Sequence, residues 1–516
     1  MTKTAVPTQQ TRNSYRAVGA IRTFVEGHFW SIVILFGVVF LAGLIGVDIR
    51  KKMWADELIT FYVARQASLR EIVNASLDGC DLTPPLYSIV VHFLLAWMPS
   101  DSLAVRLPST LGFCGMFFGL VAFCRRRWPA EYAVIPALIA SSACIRYATE
   151  GRSYGLVLGC MAGALVCWQA AAEGKRRRVT VPLLALCLMA GVALHFFAVF
   201  VAVPLVVAEI VRWIKSRKFD FAVLATLAAG LPVLLLHYPM IDAAKPIQEH
   251  YWSPARWSTL TDMYIAYTKA MCLVPVLVLV VSWLIPKRLL ADGPKVSRGL
   301  TTAEWAAVLT FPLLPLGIFV LSNFATGIFV DRYVLWAVAG SALAIGAGLY
   351  ERAGRKTAVG IGTSAVLLYT IFAAEVSGLQ VLTFSPESAQ QIQDLSRLTD
   401  NSQPLVVANV HVFQEVSYYV DPKLRDRLIF PENQELELQY LGQDTAALTM
   451  PAFGRHAKLQ VVDYDSLVLA HPRFILVAGP DDYLLDHLKS SGFRVFPMPL
   501  RTRSLYQVEA PPAVPR

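Results

Sequence analysis

Apolar runs of about 20 residues, each long enough to cross a bilayer, recur through the first three quarters of the chain, and many stop at a short basic cluster. This alternation restricts the chain to a polytopic α-helical membrane protein, because only helices and closed barrels satisfy their backbone polar groups in lipid. Composition agrees: 55% hydrophobic residues, 16% charged residues and a mean hydropathy of +0.50 exclude an ordinary soluble globule. A net charge of +9 would suggest nucleic acid for a soluble domain. Here the basic residues sit between apolar runs, where they orient the chain, and no nucleic-acid partner is expected.

The basic clusters set a topology. A cytoplasmic N-terminal segment, 1–27, carries Lys3, Arg12, Arg16 and Arg22 and leads into an uncleaved first helix. Lys175–Arg178 and Lys215–Lys218 bracket an apolar block, 180–213, too long for one span and suited to a hairpin turning near His195 and Phe196. Counting forward gives spans at 219–238, 270–286 (ending at Lys287–Arg288), 303–322, 333–350 (ending at Arg352, Arg355 and Lys356) and 357–376; counting back gives 154–172, 131–148 and 103–124, the last ending at Arg125–Arg127. The total is about eleven spans, with loop 48–102 and everything past about residue 378 outside. Leu86–Met98 is apolar but too short to cross and is expected to be re-entrant or interfacial. The eight cysteines lie mostly in apolar stretches and show neither a disulfide framework nor metal-ligand spacing, so they read as small buried hydrophobes.

Beyond the helical module, 28–378, hydropathy changes. Short β-branched runs at Leu405–Ala408 and Phe474–Ala478, each followed by helix-compatible sequence, predict a C-terminal periplasmic α/β domain over 379–516. Asp481 or Asp482 is placed to N-cap the helix after the second run and Gly492 to end it. No phosphate-binding glycine loop occurs there, and the final PPAVPR reads as a frayed tail.

Chemistry concentrates in the first outer loop. Asp56 and Glu57 stand just past the first apolar run, where carboxylates beside a bilayer are costly unless used. Arg50, Lys51, Lys52, Arg65 and Arg70 break the charge rule in the same loop. Headgroup contact explains them blandly; a phosphate-bearing substrate explains them more sharply. Arg65 falls eight positions after Glu57, on the same face of any helix over 54–66, where a guanidinium can fork onto a phosphate.

In order along the chain, the acidic pair, TPPLYSIVVHFLLAW from Thr83, AVRLPSTLGF from Ala104, YATEGRSYGLVLG from Tyr147 and DRYVLW from Asp331 resemble the type C membrane glycosyltransferases. Within that superfamily the chain is similar to the branch of lipid A aminoarabinose transferases, protein O-mannosyltransferases and rhizobial lipopolysaccharide galacturonosyltransferases, over about residues 28–376. The resemblance implies an inverting glycosyltransferase at the periplasmic face of a bacterial inner membrane. Its donor would be a polyprenyl-phosphate sugar and its acceptor an envelope glycan, a lipid or, less readily, a protein. By position in the motif, Asp56 would be the general base or acceptor-orienting carboxylate, with Glu57 its partner. Asp81 would be a second acid, with Asp78 as the alternative.

Arg152 with Tyr154, and Arg332 with Tyr333, stand at the outer ends of two spans, either snorkelling or clamping a donor phosphate. The aromatic loop Glu249–Trp257 holds His250, Tyr251 and Trp252, which either close over a sugar or belong to an interfacial aromatic belt. Lone histidines at 195 and 250 leave the presence of a divalent metal open. Two other classes share parts of this pattern. A lipid-linked glycan flippase calls for paired repeats and mid-membrane polar residues, and a non-catalytic scaffold with a binding domain has no use for the acidic pair.

Overall fold

The computed structural model describes residues 20, 23–271, 276, 278–280, 283, 299–353, 356–380, 392–398, 402–498 and 504–511. The N-terminal basic residues, Cys272, Lys287–Arg288, Arg355 and the end of the C-terminal tail lie outside them. Six described segments are long and apolar enough to cross a membrane: Phe29–Arg50, Asp101–Arg125, Tyr154–Ala172, Arg177–Leu194, Phe196–Ser216 and Thr302–Phe324. The apolar block 180–213 divides at His195, as its length required, and a 3-10 turn over Phe196–Val201 follows. The run 131–148 is interrupted at Val134, ahead of Pro136 in the first turn of the helix Ile135–Ala148. The run 219–238 is likewise two short helices, Phe221–Leu227 and Gly230–Leu236, with Pro232 opening the second. Leu86–Trp97 is a 12-residue helix, below spanning length. Leu35, Leu235 and Phe324 stand exposed, as side chains facing lipid do.

Small residues let the two longest-shared helices approach closely. A Cβ on Gly155 would come 2.1 Å from the Ser109 carbonyl oxygen, and one on Gly112 would come 2.4 Å from Leu156 Cα. The glycines of STLGF and RSYGLVLG are therefore contact points between Asp101–Arg125 and Tyr154–Ala172. Gly155→Val is expected to separate these helices and cost several kcal/mol, read as a lower melting temperature of the purified protein and loss of folded yield; unchanged melting would contradict this packing.

The basic clusters at 125–127, 175–178 and 212–218 meet at one end of the bundle, where acids neutralise part of their charge. Arg127 pairs with Glu304 at 2.8 Å and Glu173 at 2.6 Å, while Asp220 takes Arg177 at 2.7 Å and Arg212 at 2.8 Å. The first loop and the C-terminal region lie together at the other end. There a six-stranded sheet has the order β3-β2-β1-β4-β6-β5, formed by Leu405–Val407 (β1), Leu428–Glu432 (β2), Gln460–Asp463 (β3), Arg473–Val477 (β4), Arg494–Pro497 (β5) and Leu505–Glu509 (β6). The first four are parallel, and β6 runs antiparallel to both β4 and β5. Asp482 caps the helix Tyr483–Ser490, accepting from the Leu484 amide at 3.1 Å, and Gly492 takes the left-handed conformation after it.

One sheet face packs on Leu436, Leu467, Leu484 and Leu488. The other buries Leu405, Phe430 and Ile475 with Phe413 and Phe453, and with Val63, Ile72 and Ala75 from the first loop. The loop that carries the acidic pair thus belongs to the core of the C-terminal α/β layer, which fixes both on the same side of the helical module.

Candidate functional site

The helix Ala55–Ala64 begins immediately after Trp54, placing Asp56 and Glu57 in its first turn, where free backbone N–H groups favour acids. The two carboxylates then part. Glu57 turns inward: its Oε2 accepts the Trp54 amide at 3.2 Å, the acidic half of a capping box, and takes Arg106 Nη2 at 2.5 Å. Its Oε1 accepts from Arg106 Nε at 2.6 Å and from the Gly151 amide at 2.7 Å. Both side chains of the pair are fully buried.

Arg106 spends its other donors on the backbone carbonyls of Asp48, Lys51 and Lys52 and on the Ser102 hydroxyl. Glu57 is therefore a satisfied structural ion pair tying the first loop to two helices, a placement that differs from its expected partnership with Asp56. Proximity in sequence brings the two acids together, but helical geometry turns successive side chains about 100° apart. Gly151 is demanded by this close approach, since a Cβ there would meet Val105 Cγ1 at 2.3 Å.

Asp56 faces the other way, toward Arg332, whose Nη2 lies 3.1 Å from its Oδ2, and both side chains keep 18% of their surface exposed. The Arg332 guanidinium also sits 5.6 Å from the Trp252 ring centroid, and its buried Nε has no hydrogen-bond partner among the described residues. Arg152 forks onto Asp81 through two bonds of 3.0 Å and reaches Thr60 Oγ1 at 3.1 Å and the Asp56 carbonyl at 3.3 Å. Asp81 additionally accepts from the Thr83 amide and hydroxyl. Asp81 and Arg152 therefore neutralise each other behind Asp56. Asp78 stands apart, 2.9 Å from His456.

The aromatic wall comes from distant segments. Tyr333 and Tyr251 share a hydroxyl contact of 3.3 Å; the buried His195 ring lies 4.8 Å from Tyr333 and 5.9 Å from Tyr154. Beyond them opens an apolar cavity of about 240 Å³ lined by His195, Phe196, Phe197, Tyr251, Ile318 and Tyr333. A second apolar cavity, about 620 Å³, shares Val199, Phe200 and Leu234 with it.

Two anticipated residues do not join this cluster. Arg65 is the C-cap of the helix that starts at Ala55, exposed, with its guanidinium 5.2 Å from the Phe61 ring centroid. Its eight-residue offset from Glu57 aligns it with the acid that turned inward rather than with Asp56. His250 faces Asp444 at 3.7 Å, on the C-terminal α/β layer, while its neighbours Tyr251 and Trp252 reach the site.

Sequence reasoning left Glu150 and Arg106 without roles, although both lie inside motifs that carried the resemblance. Glu150 is buried between the helices Ile135–Ala148 and Tyr154–Ala172. Burial pushes its carboxyl up to about 7, with Arg332 and Lys51 opposing the rise and Glu57 and Asp56 adding to it. Lys51 supports the same loop, donating to the Thr149 carbonyl at 3.2 Å. An acid and an arginine two positions apart in one motif, Glu150 and Arg152, were the available signal.

Because the folded-state value of Glu150 lies above its ordinary 4.5, its contribution to stability is complete below pH 4.5 and is lost as pH rises through about 7. Glu150→Gln is expected to flatten the melting-temperature profile across that window and to stabilise the protein above it by a few kcal/mol. Parallel profiles for the two proteins would refute this. Among the described residues no group of three or more His, Cys, Asp or Glu side chains is placed to hold a metal ion. Arg332 is paired with Asp56 at 3.1 Å.

No protein-family model matches the sequence, and comparison with curated proteins returns no match. Solved structures do match. The chain aligns with ArnT from Cupriavidus metallidurans bound to undecaprenyl phosphate at 15% identity and a TM-score of 0.54, over 94% of this chain and 99% of that one. It aligns with the apo form of the same protein at 14% identity and a TM-score of 0.57, over 93% and 99%. Over more than nine-tenths of its length, the chain has the ArnT fold.

Proposed function

We propose that this protein is an integral-membrane inverting glycosyltransferase that moves a sugar from a polyprenyl-phosphate donor to an acceptor hydroxyl of the cell envelope. The observation carrying this reading is the Asp56–Arg332 pair, 3.1 Å apart, beside an aromatic-walled apolar cavity. Each part answers one demand of the reaction. The isoprenoid tail needs an apolar path, the phosphate needs a desolvated cation, and the incoming hydroxyl needs a base in line with the anomeric carbon.

In the proposed step, the acceptor oxygen bonds to the anomeric carbon while the bond from that carbon to the phosphate oxygen breaks. The acceptor proton passes to Asp56. The electron pair leaves with the polyprenyl phosphate, whose charge Arg332 stabilises through a guanidinium whose Nε has no partner among the described residues. Tyr333, Tyr251 and Trp252 wall the sugar, and Arg152 holds the Asp56 helix through its carbonyl and Thr60. Bound undecaprenyl phosphate in the ArnT structure supports a polyprenyl lipid as the partner.

The proposed organisation has three parts: a cytoplasmic segment 1–27, a transmembrane module 28–378 with its reacting loop at 48–102, and a periplasmic α/β domain 379–516, in an inner membrane. Burial of first-loop residues in the core of the sheet supports placing loop and domain on one side. Purified protein in lipid nanodiscs, incubated with a panel of polyprenyl-phosphate sugars and envelope acceptors, should yield a mass increment of one sugar on an acceptor with release of polyprenyl phosphate. No transfer across the panel would remove the proposal.

A further inference from the structure

The helix Val410–Tyr419, which follows β1, ends in two tyrosines that reach out of the C-terminal sheet into the first loop. The Tyr419 hydroxyl accepts the Met53 amide at 2.7 Å and donates to the Met53 carbonyl at 3.3 Å, engaging both polar groups of one backbone residue three positions before Asp56. Its ring also lies 5.0 Å from the Lys52 ammonium. The Tyr418 hydroxyl reaches Asp101 Oδ2 at 3.0 Å, at the first residue of the helix that carries Arg106. The Tyr418 ring meets Phe61 edge-on, 5.1 Å away at 84°, on the back of the Asp56 helix, and the two tyrosine rings pack on each other at 4.7 Å.

These contacts converge on one short segment. Residues 51–53 are held from inside by Arg106, through the carbonyls of Lys51 and Lys52, and from the other side by Tyr419. Asp56 begins the next turn. Its rotation toward Arg332, rather than into the core beside Glu57, depends on where that segment places the start of the helix. Hydrogen bonds to main-chain atoms suit such a task, because they fix backbone position independently of the side chain at 53.

We infer that Tyr418 and Tyr419 are positioning residues through which the C-terminal α/β domain sets the geometry of the Asp56 carboxylate. The catalytic part of this inference rests on the proposed role of Asp56; the structural part does not.

The test uses the full chain in nanodiscs and two readouts. In hydrogen exchange of the wild type, the Met53 amide should be protected. In Tyr419→Phe, which keeps the ring and loses the hydroxyl, peptides spanning 51–58 should exchange about fivefold faster while peptides from Tyr154–Ala172 stay unchanged. Sugar transfer by Tyr419→Phe should show kcat lowered about tenfold with KM for the donor unchanged, since the aromatic wall and Arg332 are untouched. The Tyr418→Phe, Tyr419→Phe double variant should enlarge both effects.

An unprotected Met53 amide in the wild type overturns the inference without recourse to any variant, as does unchanged exchange at 51–58 in both variants. Loosened exchange with unchanged kcat overturns the positioning role. Absence of transfer by the wild type with every donor counts against the proposed reaction instead, and the exchange data still decide whether the tyrosines hold the loop.

Discussion

Replacing Asp56 with Asn should reduce sugar transfer by about a thousandfold while leaving the protein folded and its melting temperature nearly unchanged. The first part follows from removing a general base, a group worth about 10² to 10⁴ in rate. The second follows from surroundings. The Asp56–Arg332 pair keeps 18% of each side chain exposed, and an asparagine amide oxygen at position 56 can still accept from the guanidinium, which limits the cost in stability. Arg332 retains its stacking over Trp252 when the carboxylate becomes an amide. Mass spectrometry of acceptor products, alongside thermal melting of the same preparation, checks both parts. Transfer at wild-type rate by Asp56→Asn would remove this residue from the chemistry.

The neighbouring acid should behave in the opposite way. Arg106→Met is expected to cost about 3–5 kcal/mol, because it strands the Glu57 carboxylate in a fully buried site and removes a donor from three backbone carbonyls, of which those of Asp48 and Lys51 keep the Ser102 hydroxyl. A large fall in melting temperature and in folded yield should appear before any assay of activity. Glu57→Gln should be milder, since the amide oxygen still accepts from the Gly151 amide or from Arg106. An Arg106→Met protein that melts with the wild type would show that the pair is not buried as described. Together the two sets would separate the acid proposed to act in the reaction from the acid that ties the first loop to its helices, although they adjoin in the sequence.

The fold class follows from solvent physics that acts on local sequence. A run of apolar residues satisfies its backbone in lipid only as a helix, so helices such as Phe29–Arg50, Asp101–Arg125 and Tyr154–Ala172 fall where the apolar runs do. Short β-branched runs likewise anticipated β1 and β4, and the capping residues around Tyr483–Ser490 marked its ends. Hydropathy does not register the breaks that Val134 and Ala228–Ala229 introduce, because proline geometry rather than polarity decides them.

The site divides along the same line. Residue type and motif order singled out Asp56, Asp81, Arg152, Arg332, Tyr154 and Tyr333, and these gather within one polar cluster. Charge and spacing could not separate Asp56 from Glu57, nor show that Arg65 and His250 point elsewhere. Those outcomes depend on Arg106, Gly151 and Asp444, partners that are distant in sequence and meet the loop only after helices pack.

The sequence by itself determined a helical membrane module with basic ends, a terminal α/β layer, and the residue types that a phosphate-bearing donor would require. Tertiary structure alone decided which acid faces the arginine beside the cavity and that the C-terminal sheet buries the back of the first loop. The physical reason is range: burial and helix formation are set by neighbours along the chain, whereas the pairing of charges is set by contacts that hundreds of intervening residues must first bring together.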